Sequence, residues 1–157
     1  MGLRTISFAV LLAVVLTACG GSKDKARELV EFTRYDDSES RLEVLLEFFN
    51  SHYWALPADT IREVVTKNLD REATKSQIID VYADHFTEEE LEVMIRANNK
   101  SLEETESILS STKEGRALFD RVVEVQAVVD QVMEDAAKAQ TTAIVEALDK
   151  LNEDYVN

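Results

Sequence analysis

The sequence predicts an all-α fold: a single helical-bundle domain of about six or seven helices that ends in a long C-terminal helix. Three observations carry this expectation. Beyond residue 22 the chain has a single glycine, Gly115, and a single proline, Pro57, so little in it can break a helix. No run of alternating apolar and polar residues is bounded by hairpin turn residues. Apolar residues recur instead at steps of three and four from Ala26 to Tyr155, the period of helices buried on one face.

Taken in order, the chain first gives an export signal. Arg4 and the amino terminus precede a stretch from Ile6 to Leu16 that is apolar except for Ser7 and carries no charge. Such a run is too short to span a bilayer core, which takes roughly 20 residues, and residues 1–18 read as a cleaved signal peptide. Its end, Leu16-Thr17-Ala18-Cys19, resembles the bacterial lipobox. The resemblance implies a diacylglyceryl thioether on Cys19, cleavage between Ala18 and Cys19, and palmitate-type acyl chains that hold the mature protein on the membrane without spanning it. Gly20 in place of Asp after that cysteine matches the sorting pattern for the outer membrane, with the domain facing the periplasm. Residues 19–22 then read as a flexible lipidated tether with a reach of about 15 Å, and residues 23–157 as the acidic helical domain.

Within that domain a first helix is expected over Lys23 to Thr33, with Ala26, Leu29 and Val30 on one face. Leu42, Leu45, Leu46, Phe49 and Tyr53 form the stripe of a second helix that Pro57 must end. Ile61, Val64, Val65 and Leu69 repeat the spacing in a third. Thr74 to Gln77 has the capping-box pattern and opens a fourth helix, with Ile78, Tyr82 and His85 or Phe86 inward. "HFTEEELEVMI" gives the sharpest boundary. Thr87 and Glu90 form a capping box there, and Phe86 and Leu91 a hydrophobic staple, ahead of a fifth helix facing inward through Leu91, Met94 and Ile95. Ser101 and Glu104 cap a short sixth helix bearing Leu102, Ile108 and Leu109. Thr112 caps the last. Its stripe runs through Leu118, Val122, Val125, Val129, Val132, Ala136, Ala139 and Ala143, then slips by one residue to Ile144, Leu148, Leu151 and Tyr155. A helix that long either packs along the domain, with or without a bend, or protrudes and pairs with a second copy.

"HFTEEELEVMI" and "SSTKEGRALFDRV" (110–122) together resemble a bacterial family known as domain of unknown function 2059, made of small exported all-helical proteins. Gly115 matches the family's second motif, while Ile108 and Leu109 replace its aromatic residues, Thr112 or Ser111 its capping serine and Lys113 its proline. About eleven additional residues separate the two motifs here. The resemblance implies the helical fold and an envelope address, and it implies no activity.

The chain carries 17 basic and 31 acidic residues, a net charge of −14. Loss of residues 1–18 removes Arg4 and leaves about −15, which disfavours nucleic acid as a partner. With Cys19 alkylated, no thiol remains for disulfide, metal or nucleophilic chemistry. His52 and His85 lack zinc-site spacing and are expected to pack at helix ends. "DDSESRLEVLLE" (36–47) has oxygen ligands at several calcium-loop positions, but Arg41 stands where glycine is needed and the helical period runs through it. Glu88, Glu89 and Glu90 suit a first turn, where acidic groups complement the helix dipole. No metal, cofactor or catalytic set is assigned. The stretch "FFNSHYWALP" is the candidate binding surface, with Phe49, His52, Tyr53 and Trp54 as either a partner anchor or the joint between two helices. The expected function is a non-catalytic envelope lipoprotein whose domain binds a protein partner or assembles at the membrane surface, including with itself through the last helix. The alternatives are a carrier of a lipid or other apolar ligand and, behind it, an enzyme with an unrecognised carboxylate site.

Overall fold

The computed structural model describes residues 18–33 and 38–156. The signal-peptide reading falls almost wholly outside them, as do the first two acidic residues of the calcium-like stretch. Seven helices follow one another: α1 (Ala18–Phe32), α2 (Ser38–His52), α3 (Ala58–Asn68), α4 (Arg71–His85), α5 (Glu88–Asn98), α6 (Leu102–Ser110) and α7 (Lys113–Val156). There is no strand among the described residues, and the predicted all-α fold with a long final helix is the observed one.

The 44 residues of α7 extend about 66 Å at 1.5 Å per residue, and the other helices are arranged along it. α4 runs antiparallel to α7. Gln140 donates to the Asp70 carbonyl at 3.1 Å and to the Thr74 hydroxyl at 3.3 Å, while at the far end of α4 the Arg121 guanidinium lies 5.3 Å from the centre of the Phe86 ring. α1 is in turn antiparallel to α4, with Lys23 2.6 Å from Asp80 and Lys75 3.5 Å from Glu31. α5 packs on α1, α6 bridges α5 and α7, and α2 and α3 form a hairpin whose second helix lies on α7.

Two apolar cores share that one helix. The first joins Ala26, Leu29 and Val30 of α1 to Ile78, Ile79 and Tyr82 of α4, to Leu91 and Ile95 of α5, and to Leu118, Val125 and Val129 of α7. The second joins Leu46 and Phe49 of α2 to Ile61 and Val65 of α3 and to Ile144 and Leu148 of α7. The one-residue slip in the α7 stripe separates the two. Ala139, at the seam, is exposed. α7 is therefore packed along much of its length, and the protruding helix is not what is found, although Tyr155 near its end is exposed.

Local signals explain most boundaries. The Thr87 hydroxyl accepts from the Glu90 amide at 3.3 Å and the Glu90 carboxylate accepts from the Thr87 amide at 2.9 Å, while Phe86 and Leu91 are both buried. Ser101 and Glu104 repeat the box. Thr112 accepts from the Gly115 amide at 2.9 Å. Glu90 serves twice, since it also pairs with Arg121 of α7. Burial pulls its carboxyl upward, but the Thr87 amide and Arg121 outweigh that and hold it below the usual range.

The structure corrects two expectations and decides between the alternatives left by a third. α4 begins at Arg71, not at Thr74, because the Asp70 carboxylate accepts from the Ala73 amide at 2.9 Å and caps the helix a turn earlier. Thr74 lies inside the helix and returns its hydroxyl to the Asp70 carbonyl at 3.1 Å. Phe86, not His85, takes the inward place; His85 is exposed, with Nδ1 2.7 Å from the Val81 carbonyl. α1 begins at Ala18, so residues 19–22 are helical where a flexible tether was expected. Ser22 is already buried, and the carboxylate end of the Glu88 side chain of α5 lies against Gly21.

Gly115 has a steric reason to be glycine. A Cβ there would lie 2.5 Å from the Leu109 carbonyl oxygen, a backbone atom at the tight α6–α7 turn. Gly115→Ala should therefore lower stability by about 1–3 kcal/mol in urea melts, although alanine is the better helix former. At the α4–α5 junction the same measurement should give about 1 kcal/mol for Thr87→Ala and about 3–5 kcal/mol for Phe86→Ala, which empties a core site beneath Arg121.

Candidate functional site

α2 is apolar on two faces. Its inward stripe, Leu42, Leu45, Leu46 and Phe49, feeds the second core. On the outer side, Val44 is 66% exposed and Phe48, one turn on, is 50% exposed. The next turn brings His52, whose ring lies 4.2 Å from that of Phe48 at an interplanar angle of 33°. Its Nδ1 is 2.9 Å from the Phe48 carbonyl and 3.1 Å from the Ser51 hydroxyl. The imidazole thus sits in the last turn of the helix, against the carbonyl one turn back.

The turn after α2 then sorts its side chains. The Leu56 amide donates to the Tyr53 carbonyl at 2.9 Å, closing a turn that sends Leu56 into the core and leaves Trp54 84% exposed. Pro57 occupies the N-cap position of α3. Tyr53 is half-buried and reaches across to α7, donating to the Asp149 carboxylate at 2.7 Å. Burial, that hydrogen bond and the carboxylate charge push its phenol up to about 12.

The expected group therefore divides. Phe49 is a core residue, 1% exposed, and not part of a binding surface. Tyr53 is a polar pin between α2 and α7. His52 and Trp54 remain on the surface, joined by Phe48 and Val44, which were not among the assigned residues. Their signal was present in the sequence: two large apolar residues four apart and about 100° off the inward stripe. The aromatic rings form a continuous series from core to solvent, with centroids 6.3 Å apart for Tyr53 and Phe49, 5.2 Å for Phe49 and Phe48, and 4.2 Å for Phe48 and His52. The inner rings fix the outer ones, so the surface is presented on a rigid base.

Trp54 stands in solvent instead of lining an enclosed space. A nearby hollow lies on α3 and is lined by Asp59, Arg62, Glu63, Thr66 and Lys67, a charged set unsuited to an apolar ligand. Among the described residues no group of three or more His, Cys, Asp or Glu side chains could hold a metal ion, and no helix is long and apolar enough to cross a membrane. Of the acidic turn, Glu90 is engaged in the cap and the Arg121 pair, while Glu88 and Glu89 are exposed.

Comparison with known proteins finds no matching family model, and no curated protein or solved structure that is significantly similar.

The Tyr53–Asp149 bond has a pH signature. An ordinary tyrosine ionises near 10, whereas the folded protein holds this proton until about 12. The stability contributed by the bond is therefore complete below pH 10 and is lost as pH rises from 10 through about 12. Thermal melts across that window should fall more steeply for the wild type than for Tyr53→Phe, and equal slopes would show that the bond does not form in solution.

Proposed function

We propose that the protein is a non-catalytic lipoprotein of the cell envelope, held at the outer membrane by acyl chains on Cys19, whose helical domain docks a protein partner through the outer face of α2 and the turn that follows. The observation that carries the docking reading is the exposure of Val44 and Phe48 one turn apart on α2, with Phe48 packed on the buried Phe49, and of Trp54 in the turn that follows, since single exposed apolar residues are ordinary but several on one element and its adjoining turn suit an interaction site. The lipobox-like Leu16 to Cys19 supports the anchor. The relation to the domain of unknown function 2059 family belongs to the same proposal and is supported by the two motifs that end in Ile95 and Val122.

Assembly with a second copy through α7 is a second reading, favoured by Phe119 and Val123, one turn apart and exposed on that helix. Sedimentation of the chain as a monomer at high concentration would remove it.

Two measurements test the main reading. Labelled fatty acid supplied to cells should enter the wild type and not Cys19→Ala, and equal incorporation would sink the anchor. A photocrosslinking amino acid in place of Trp54 should give a discrete adduct in intact envelopes, while the same group in place of the exposed Lys100 should not; no adduct at position 54 would count against docking.

A further inference from the structure

We infer that the α2 surface receives a basic amphipathic helix of a protein lying away from the anchoring membrane, because the fold places this surface at the opposite end of α7 from the lipid. The inference deepens the proposed function and rests on it for the anchor at Cys19 and for the existence of a partner.

The placement follows from three fixed points. Cys19 lies in the first turn of α1, whose Gly21 abuts Glu88 in the first turn of α5. Two residues further on, Glu90 pairs with Arg121 of α7. The lipid-bearing end of the chain is thus held at the level of Arg121. At the other end, the Tyr53–Asp149 bond holds the C-terminus of α2, with Phe48 and Trp54 beside it, at the level of Asp149. Arg121 and Asp149 are separated by about 42 Å of helix at 1.5 Å per residue. Because residues 19–22 are helical, they add about 6 Å instead of the 15 Å of an extended leash. A short anchor at that end leaves the α2 surface about 42 Å along α7 from the lipid.

Charge selects the occupant. Glu43 and Glu47, both exposed, flank Val44 and Phe48 along one side of the outer stripe, while the neighbouring α3 is balanced there, exposing Asp59 and Glu63 beside Arg62 and Lys67, so the negative charge at the stripe comes from α2 itself. This rim opposes anionic head groups and opposes a second copy of a chain whose net charge is −14. It favours a partner with Lys or Arg beside its apolar residues. Val44 and Phe48 are one helical turn apart, a spacing that a partner helix with its own i, i+4 apolar pair can match.

Trp54 is the only tryptophan in the chain, so its fluorescence reads the site directly. The full lipidated protein would be reconstituted in phosphatidylcholine vesicles and titrated with a leucine/lysine amphipathic helical peptide. Before peptide is added, Trp54 should emit as a water-exposed indole and be open to a water-soluble quencher. The peptide should produce a saturable blue shift and protection from quencher. Phe48→Ser should weaken that response at least about tenfold without altering the melting temperature, and Glu43→Gln with Glu47→Gln should weaken it and flatten its dependence on salt. Trp54 already shielded in the vesicles would overturn the inference in favour of the membrane. An equal response to a leucine/glutamate peptide, or one untouched by Phe48→Ser, would overturn the basic helix. A crosslinked adduct at position 54 with no peptide response would leave partner docking standing and remove only the partner's chemistry, whereas absence of fatty acid label would remove only the membrane spacing.

Discussion

Burial of one face of α7 is the constraint on which the rest of the structure depends. Neither core could be completed without it: α1, α4 and α5 present their apolar faces to Leu118, Val125 and Val129, and the α2–α3 hairpin presents its own to Ile144 and Leu148. Two helices alone bury too little surface to offset the entropy of ordering them. The hairpin becomes stable by lending its stripe to a helix that α4 and α6 also hold in place. The slip of the α7 stripe from Ala143 to Ile144 is what allows this, because it turns the buried face toward a second set of neighbours.

Polar contacts then fix where along α7 each element lies. Apolar packing tolerates sliding by a turn more readily than a directed hydrogen bond does. Arg121 meets Glu90 and covers Phe86 near one end, Gln140 reaches the start of α4 at the middle, and Asp149 receives Tyr53 near the other end. Glu90 joins local and tertiary structure in one carboxylate, since the group that closes the α5 capping box also fixes α5 to α7. Arg121 Nε, buried without a hydrogen-bond partner among the described residues, is the one imperfect fit at that junction, offset by the ion pair and the contact with the Phe86 ring.

Those parts of the fold that were legible in the sequence are the ones determined within about four residues. Thr87 with Glu90, Ser101 with Glu104 and Thr112 ahead of Gly115 each cap a helix through a neighbour in the chain, and the period of three and four identified the buried Leu118, Val125, Val129, Ile144 and Leu148 of α7, although Ala139 and Tyr155 of the same stripe are exposed. The misplaced start of α4 had a local cause too: Asp70 and Thr74 are both plausible caps in sequence, and the carboxylate that reaches Ala73 takes the place. What could not be read was tertiary. Phe49 and Trp54 lie five residues apart, and the turn closed at Leu56 leaves one in the core and the other in solvent. Phe48 belongs to the stretch expected either at a helix joint or on a surface, and it is exposed, as is Val44 one turn before it. Residues 19–22 continue α1, and the side chain that meets Gly21 there is Glu88, far along the chain.

Sharing a helix that comes later in the chain has a consequence for the order in which the molecule can form. Tyr53 and Asp149 are 96 residues apart, so residues 144–151 are synthesised long after the α2–α3 hairpin that they complete. The segment from Ser38 to Leu69 therefore emerges long before the surface that completes it exists. Closing so long a loop costs chain entropy before any contact repays it. Until then Phe49, Ile61 and Val65 are exposed apolar groups, and the high negative charge of the chain, which keeps unfolded copies apart, protects them during that interval.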